Sequence, residues 1–486
     1  MFLKSSNFKN AYWSIADVVI YPIVLLVATP IFLKYLGAEQ YGVWVLINSI
    51  IASIGVLNAG LGDATIKFIS KYRATDNING VKRVFTATYT LTCCVFFFTI
   101  TTVLLSSEWI TSSDLFKISR DTQPIANTAL QLASVAFAFR LLEQIFFAFF
   151  KAYERFDIYS KISITSKNLA LVAGVFLVIQ GGSLVAIILC NTIAAILSVL
   201  IEVFLISKRL GFDVLIPRFV KADIKEVFAF SSWAWVQTAI GLIGAQLDRY
   251  IVAAAVSVEV LAYYSVGLLV ASQIHNVFAA GSSFIFPLIS MKIEKKMGIK
   301  HIYFKMQLLV IALGLLGITT LALLQTPLFT LWLGEANYAK SKEFITLFLC
   351  YEAAVLTSVI PYFYLIGAGL VRLNTFISGV GIAAMALCMM VLFYFIGETG
   401  LIWGKILSTV LITPFLYNIL HRRVLEDADP FAGVKLLLPS FATIAFILVP
   451  TIPLKLLALL LCIVFFYKFI YKRIGSVQTT NAVTNP

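Results

Sequence analysis

Apolar residues in this chain run in long blocks, and short polar stretches punctuate them. A membrane-spanning helix needs about 20 mostly apolar residues. A window of that length finds about fourteen blocks, at residues 10–33, 43–61, 84–106, 125–150, 164–180, 183–207, 227–246, 261–287, 306–326, 344–367, 375–396, 401–420, 434–450 and 454–470. Only Gly181-Gly182 separates the fifth from the sixth, and the last two turn at Pro450 and Pro453. The expectation is an all-α integral membrane protein of about 14 transmembrane helices.

Composition removes the rival classes. Of the 486 residues, 60% are hydrophobic and 13% are charged, and the mean hydropathy is +0.95. So few polar groups cannot cover the surface of a water-soluble globule. An ordinary soluble enzyme, a disordered chain and a nucleic-acid binder are excluded. The first apolar stretch is long and lacks a small-residue cleavage site, so it reads as a helix that stays rather than a signal peptide. The six cysteines fall in apolar stretches without zinc-ligand spacing and read as small packing residues. No metal and no cofactor are expected.

The net charge of +13 would suggest nucleic acid on a soluble protein, but on this chain it reports orientation. With the N-terminus placed in the cytoplasm, 28 of the 37 Lys and Arg residues fall on the cytoplasmic side, 8 fall outside and Arg140 lies within a helix. The clusters Lys67/Lys71/Arg73/Lys82/Arg83 and Lys292/Lys295/Lys296/Lys300/Lys305 share one side. Both termini are therefore expected inside. The short loops leave no room for a soluble catalytic domain, and no phosphate-cradling GK[ST] loop occurs. Asp427-Ala428-Asp429 has metal–nucleotide-sugar spacing, but it sits in a short loop with no fold around it.

A repeat is visible at an offset of 220 residues, pairing Glu39 with Glu259, Gly42 with Ala262 and Trp44 with Tyr264. Each stretch joins an odd helix to the next even one. An even number of helices per repeat makes the halves parallel, related by an axis along the membrane normal, as in transporters with a central cavity. The expected division is a six-helix bundle at 1–220, a second at 221–430, and two extra helices with a cytoplasmic tail at 431–486.

The stretch Leu36-Gly37-Ala38-Glu39-Gln40-Tyr41-Gly42, within Pro30 to Trp44, resembles the first external loop of bacterial Wzx-type polysaccharide flippases of the multidrug/oligosaccharidyl-lipid/polysaccharide exporter superfamily. Leu57-Asn58-Ala59-Gly60-Leu61-Gly62-Asp63-Ala64 resembles the glycine-rich end of that family's second helix, and Leu247-Asp248-Arg249-Tyr250 with Tyr263-Tyr264 its seventh and eighth. The resemblance implies two pseudo-symmetric six-helix bundles around a central cleft. It implies an undecaprenyl-pyrophosphate-linked oligosaccharide cargo, such as an O-antigen unit, turned across the bacterial inner membrane. It also implies polysaccharide polymerase and chain-length proteins as partners.

Ionisable groups inside a bilayer are costly and mark function or pairing. Asp17, Arg140, Glu143, Glu202, His275 and Glu352 fall inside the expected helices. Arg140 and Glu143 stand three apart on one helix face. They form either a structural ion pair or a cationic contact for pyrophosphate, with Glu143 orienting the planar Arg fork. Gln131 and Gln144 on the same helix suit sugar hydroxyls. Asp17 precedes Pro22 and suits a proton or sodium site, or a pairing with Arg140. Asp248 and Arg249 lie at the outer end of helix 7, where Arg249 meets either a phosphate or the interface. Lys67, just past helix 2, is a topology charge or a lipid-phosphate contact. His275 with Gln273 and Asn276 makes helix 8 locally polar, for packing or proton relay, and Glu352 is a further ion-coupling candidate. Lys405 is expected to snorkel outward. Gly60, Gly62, Gly241, Gly244, Gly314 and Gly317 are assigned to helix contact. Trp233, Trp235 and Trp403 are placed at the cleft.

Three functions remain. They are a lipid-linked oligosaccharide flippase working by alternating access, a cation-coupled drug exporter of the same superfamily, and a membrane polysaccharide polymerase or ligase. The last needs an external acceptor region that the chain lacks.

Overall fold

Without water in the hydrocarbon layer, each backbone N–H and C=O must find a partner inside its own segment, and the helix does this. The computed structural model describes the backbone of residues 5–58, 60–295, 297–425, 437–449 and 460, and the side chains of these apart from 5–19, 221–234 and 237. In the N-terminal part the helices are α1 (Ser5–Tyr35), α2 (Gly37–Ile54), α3 (Leu61–Ala74), α4 (Ile78–Ser112), α5 (Gln123–Ala152), α6 (Phe156–Ile179), α7 (Leu184–Leu210), α8 (Lys221–Ala255) and α9 (Val258–Ser282). There follow α10 (Ile285–Glu294), α11 (Lys300–Leu323), α12 (Gln325–Leu333), α13 (Glu335–Val355), α14 (Val359–Gly367), α15 (Val371–Ile396), α16 (Glu398–Arg423) and α17 (Leu438–Leu448). Among the described residues, ten helical stretches are long and apolar enough to cross a bilayer. The expected span 454–470 and Asp427/Asp429 lie outside the described residues.

Three expected spans are broken helices. The second runs on to Ala74, interrupted by a 3-10 turn at Gly55–Asn58 and by Gly60, whose φ of +81° suits glycine. The eighth breaks between α9 and α10. The tenth breaks at Leu356–Ser358, between α13 and α14. The cause of the last is local: Pro361 has no N–H to offer the Thr357 carbonyl four residues back. Gln307 Nε2 of α11 donates to that carbonyl at 2.7 Å, and the Tyr417 hydroxyl of α16 donates to it at 2.6 Å. Either donor alone satisfies the carbonyl. Gln307→Leu and Tyr417→Phe are therefore each expected to be mild, and the double variant to lose about 1–3 kcal/mol beyond their sum. A double-mutant cycle of thermal unfolding in detergent reads this.

Packing divides the chain into two compact units, Met1–Ala262 and Tyr263–Pro486. In the first, Phe85 of α4 meets Phe146 and Phe149 of α5 at ring distances of 6.1 and 5.7 Å. Leu61, Phe68, Val199 and Ile206 complete this buried core from α3 and α7. The run Phe146-Phe147 and Phe149-Phe150 is thus core rather than lipid belt. The motif around Glu39 works as a junction. Glu39 accepts the Ser119 N–H at 3.0 Å, and Gln40 accepts the Leu184 N–H at the start of α7 at 3.1 Å. Gly42 lies directly against the Val258 backbone, where a Cβ would stand 2.7 Å from the carbonyl carbon.

In the second unit, Tyr264 packs edge-on to Phe348 at 4.8 Å. The α15–α16 pair closes through Gly400 and Gly404, where a Cβ would press on the backbone of Phe393 and Met389 at 2.7 and 2.5 Å. Small residues four apart let two helix backbones meet. The expected packing role fits Gly314, whose Cβ would meet Leu356 at 2.5 Å, but not Gly241 or Gly317, which have nothing within 4 Å.

Candidate functional site

A cavity of about 470 Å³ lies inside the first unit. That is within the range of small-molecule sites, roughly 300–1,000 Å³. Its wall takes Tyr21 and Pro22 from α1, Trp44 and Asn48 from α2, Phe137 and Arg140 from α5, Lys167 from α6 and Asn191 from α7. Among the described lining residues the charged groups are Arg140 and Lys167, both cationic.

Arg140 is held from behind. Its Nη1 lies 2.8 Å from each Glu143 carboxylate oxygen, and its Nη2 donates to Asn191 Oδ1 at 3.2 Å. The Ser198 hydroxyl of α7 donates to Glu143 at 2.6 Å. The Glu143 side chain is 3% exposed and that of Arg140 is 17% exposed. The carboxylate therefore sits in the wall while the guanidinium reaches the cavity. These bonds use three of the five guanidinium N–H groups. The other two have no protein acceptor among the described residues, so the fork keeps donors for an anion. Pairing and ligand contact, the two roles open for this pair in the sequence, are thus compatible. Glu202, on α7 one turn beyond Ser198, is fully buried, and neither carboxyl oxygen has a hydrogen-bond partner among the described residues.

The other sequence candidates lie elsewhere. Gln131 bonds to Ser107 at 3.1 Å, on the α4 side of α5. Gln144 is exposed and accepts from Asn58 at 2.8 Å, tying α5 to the break before α3. Trp235, proposed for the cleft, donates to the Val56 carbonyl of the same break at 2.7 Å. Lys67 is exposed on α3, its ammonium 5.6 Å from the Phe68 ring. Asp248 is buried and accepts the Arg249 N–H at 2.9 Å, while Arg249 pairs with Gln246. The side chains of Asp17 and Trp233 lie outside the described residues.

A second polar cluster belongs to the other unit. His275 of α9 and Glu352 of α13 meet at 3.1 Å, with Glu352 buried. Lys405 of α16 does not snorkel. It is 4% exposed, with its ammonium 4.8 Å from the Tyr351 ring and 5.3 Å from Phe348. Aromatic faces replace water around the cation. Sequence reasoning missed Lys405 as an interior group, and it counted Lys167 among the topology charges. The available signal for Lys167 was its place inside the span 164–180.

Residues 33–341 match the family described as polysaccharide biosynthesis protein. A proposed O-antigen transporter of Shigella flexneri is 21% identical over 421 residues, covering 85% of this chain and 98% of that protein. Among solved structures, the lipid II flippase MurJ in an inward closed conformation superposes with a TM-score of 0.71 at 13% identity, over 96% of this chain and 99% of the other. An inward-facing multidrug resistance MATE transporter of the MOP superfamily gives 0.68 at 11% identity, over 84% and 96%. The two structural likenesses establish the fold.

Proposed function

The chain belongs to the polysaccharide biosynthesis protein family, multi-pass membrane transporters rather than enzymes, and on that premise we propose that it flips an undecaprenyl-pyrophosphate-linked oligosaccharide, an O-antigen or similar unit, across the bacterial inner membrane. The observation that carries this reading is the cavity whose described charged lining is Arg140 and Lys167. Two cations with open N–H donors suit a pyrophosphate, which offers several anionic oxygens, better than they suit a drug cation. Asn48, Asn191 and the rings of Trp44 and Phe137 give the amides and apolar faces that sugars use.

The cargo head enters from the cytoplasm, lodges at Arg140, and leaves outside after the bundles 1–220 and 221–430 rock about the cleft. Both termini lie in the cytoplasm, and the polymerase and chain-length proteins receive the product. No bond is made or broken, so positioning and charge do the work. The energy source is an ion gradient, with Asp17 and the His275–Glu352 pair as the coupling groups.

The test of cargo is direct: proteoliposomes loaded with lipid-linked oligosaccharide expose it to an external glycosidase only when the protein is present. Equal exposure without protein removes the reading. For coupling, Glu352→Gln is expected to leave a slow basal flux and abolish its acceleration by an imposed proton gradient. Retained acceleration excludes Glu352 from that role.

A further inference from the structure

A small cavity of about 150 Å³ opens where α4 meets the segment between α7 and α8, lined by Lys82, Arg83, Thr86, Asp213, Arg218 and Val220 among others. The reason the two meet is legible in α4. Lys82, Thr86 and Thr90 stand four apart on one helix face. They reach the connecting strap in order. Lys82 Nζ lies 3.5 Å from Asp213 Oδ2, the Thr86 hydroxyl donates to the Val214 carbonyl at 3.2 Å, and the Thr90 hydroxyl accepts the Arg218 N–H at 2.9 Å. Val214 and Leu215 sink into the core that holds Phe85 and Phe146. Ile216, which precedes Pro217, is extended at φ −88° and ψ 114°.

Charge and position then define an occupant. Among the described lining residues three are cationic, Lys82, Arg83 and Arg218, against one acid, Asp213. The Thr90 bond holds Arg218 by its backbone, while its exposed side chain lines the cavity. With 35 residues α4 is about 52 Å long, more than the roughly 30 Å of the hydrocarbon layer. Its apolar span starts at residue 84, directly after Arg83, so the cavity lies at the edge of that layer. On the strap, Phe212 and Phe219 are 67% and 72% exposed, and Val220 beside Phe219 lines the cavity. A cationic pocket flanked by exposed rings at that depth matches a molecule with an anionic head and apolar chains.

We propose that this pocket binds the phosphate of an anionic phospholipid, such as phosphatidylglycerol, and that the bound lipid clips the strap at 211–220 onto α4. The proposal is independent of the cargo. Basic pockets at a membrane surface recognise anionic head groups, and guanidinium and ammonium donors suit phosphate oxygens. The excess of positive charge turns away the choline of a zwitterionic lipid. The volume takes a phosphate group and lies below the range of drug-sized sites, unlike the Arg140 cavity. Phe219 then lies against the acyl chains.

The test places the full chain in nanodiscs of equal parts phosphatidylglycerol and phosphatidylcholine, with photoreactive benzoylphenylalanine in place of Phe219. Each basic residue at an anionic surface contributes roughly fivefold. Labelling of phosphatidylglycerol is therefore expected to exceed that of phosphatidylcholine by about tenfold or more, and the same probe at Leu105, exposed toward the other end of α4, should show no preference. Arg218→Gln alone should lower the preference about threefold to fivefold, with its backbone bond to Thr90 intact. Lys82→Gln, Arg83→Gln and Arg218→Gln together should bring it to the Leu105 level. Asp213→Asn should raise it. A matched neutralisation of exposed Lys295, Lys300 and Lys305 should leave it unchanged. Amide exchange across 211–220 should slow several-fold when phosphatidylglycerol is added to phosphatidylcholine discs, and not in the triple Lys82/Arg83/Arg218 variant. A preference that survives that triple variant, or falls equally in the matched one, assigns the effect to diffuse surface charge and overturns the site. Loss of the preference in potassium phosphate but not in potassium chloride of equal ionic strength makes the pocket one for soluble phosphates and overturns the lipid. Exchange indifferent to the anionic lipid overturns the clip.

Discussion

Replacing Arg140 with alanine is expected to lower transport of the lipid-linked oligosaccharide by roughly 100-fold or more, a loss of about 3–5 kcal/mol of interaction. Surface polysaccharide should disappear while the protein remains in the membrane. The single substitution also leaves Glu143 buried without its cation, which adds a structural cost to the loss. Arg140→Gln with Glu143→Gln separates the two effects. The amide at 143 still accepts from Ser198, and both charges are removed together. That double variant should match the wild type in thermal stability and still fail to transport. Arg140→Lys should recover only part of the activity, because an ammonium lacks the planar fork. Normal surface polysaccharide in Arg140→Ala would remove this residue from the transport path.

Gly42→Val is the largest expected structural effect. Any Cβ at Gly42 would overlap the Val258 backbone, and a helical carbonyl cannot swing aside as a side chain does. The α2 and α9 backbones must separate, at a cost of about 3 kcal/mol or more. Folded protein should fall several-fold, read as the monodisperse peak on size exclusion after extraction. Gly241→Ala is the matched control, since nothing lies within 4 Å of that position. It should be neutral or stabilise by about 0.5–1 kcal/mol through helix propensity. A wild-type peak from Gly42→Val would show that the junction can yield.

These two glycines show what the sequence makes legible and what it does not. Gly42 closes a motif that carries Glu39 and Gln40, and Gly241 lies within an apolar helical stretch, yet neither setting states whether the glycine is in contact. Whether a glycine meets a neighbour depends on how a helix is turned about its axis, which a uniformly apolar segment does not encode. The same limit governs the basic residues. Charge alternation assigns Lys71 and Lys295 to one side by their number and company. Lys405 stands alone in a helix, and only the rings of Tyr351 and Phe348 tell that it points inward. Lys167 is hidden by its neighbours in the count, because a cation near a helix end serves topology and a cavity equally well. Where the physics is local, the sequence is sufficient. Arg140 and Glu143 are three residues apart, and that spacing alone brings them within reach. The breaks in the second, eighth and tenth spans fall between these cases. Gly60 and Pro361 mark two of them, but the donors that make the tenth tolerable come from Gln307 and Tyr417, distant in the chain.

The junction at Glu39 and Gln40 has a consequence for how the protein is made. Ser119 follows Glu39 by 80 residues, and Leu184 follows Gln40 by 144. At ribosomal speeds of about 5–20 residues per second, the first hairpin waits roughly 7–30 s for the helix that Gln40 caps. During that interval the two side chains must be hydrated at a membrane surface rather than drawn into lipid. Polarity at this turn therefore keeps the nascent hairpin in register until α7 inserts. An apolar replacement at Gln40 would act first as a fault of biogenesis, visible as slowed insertion and early degradation before any change in the finished transporter.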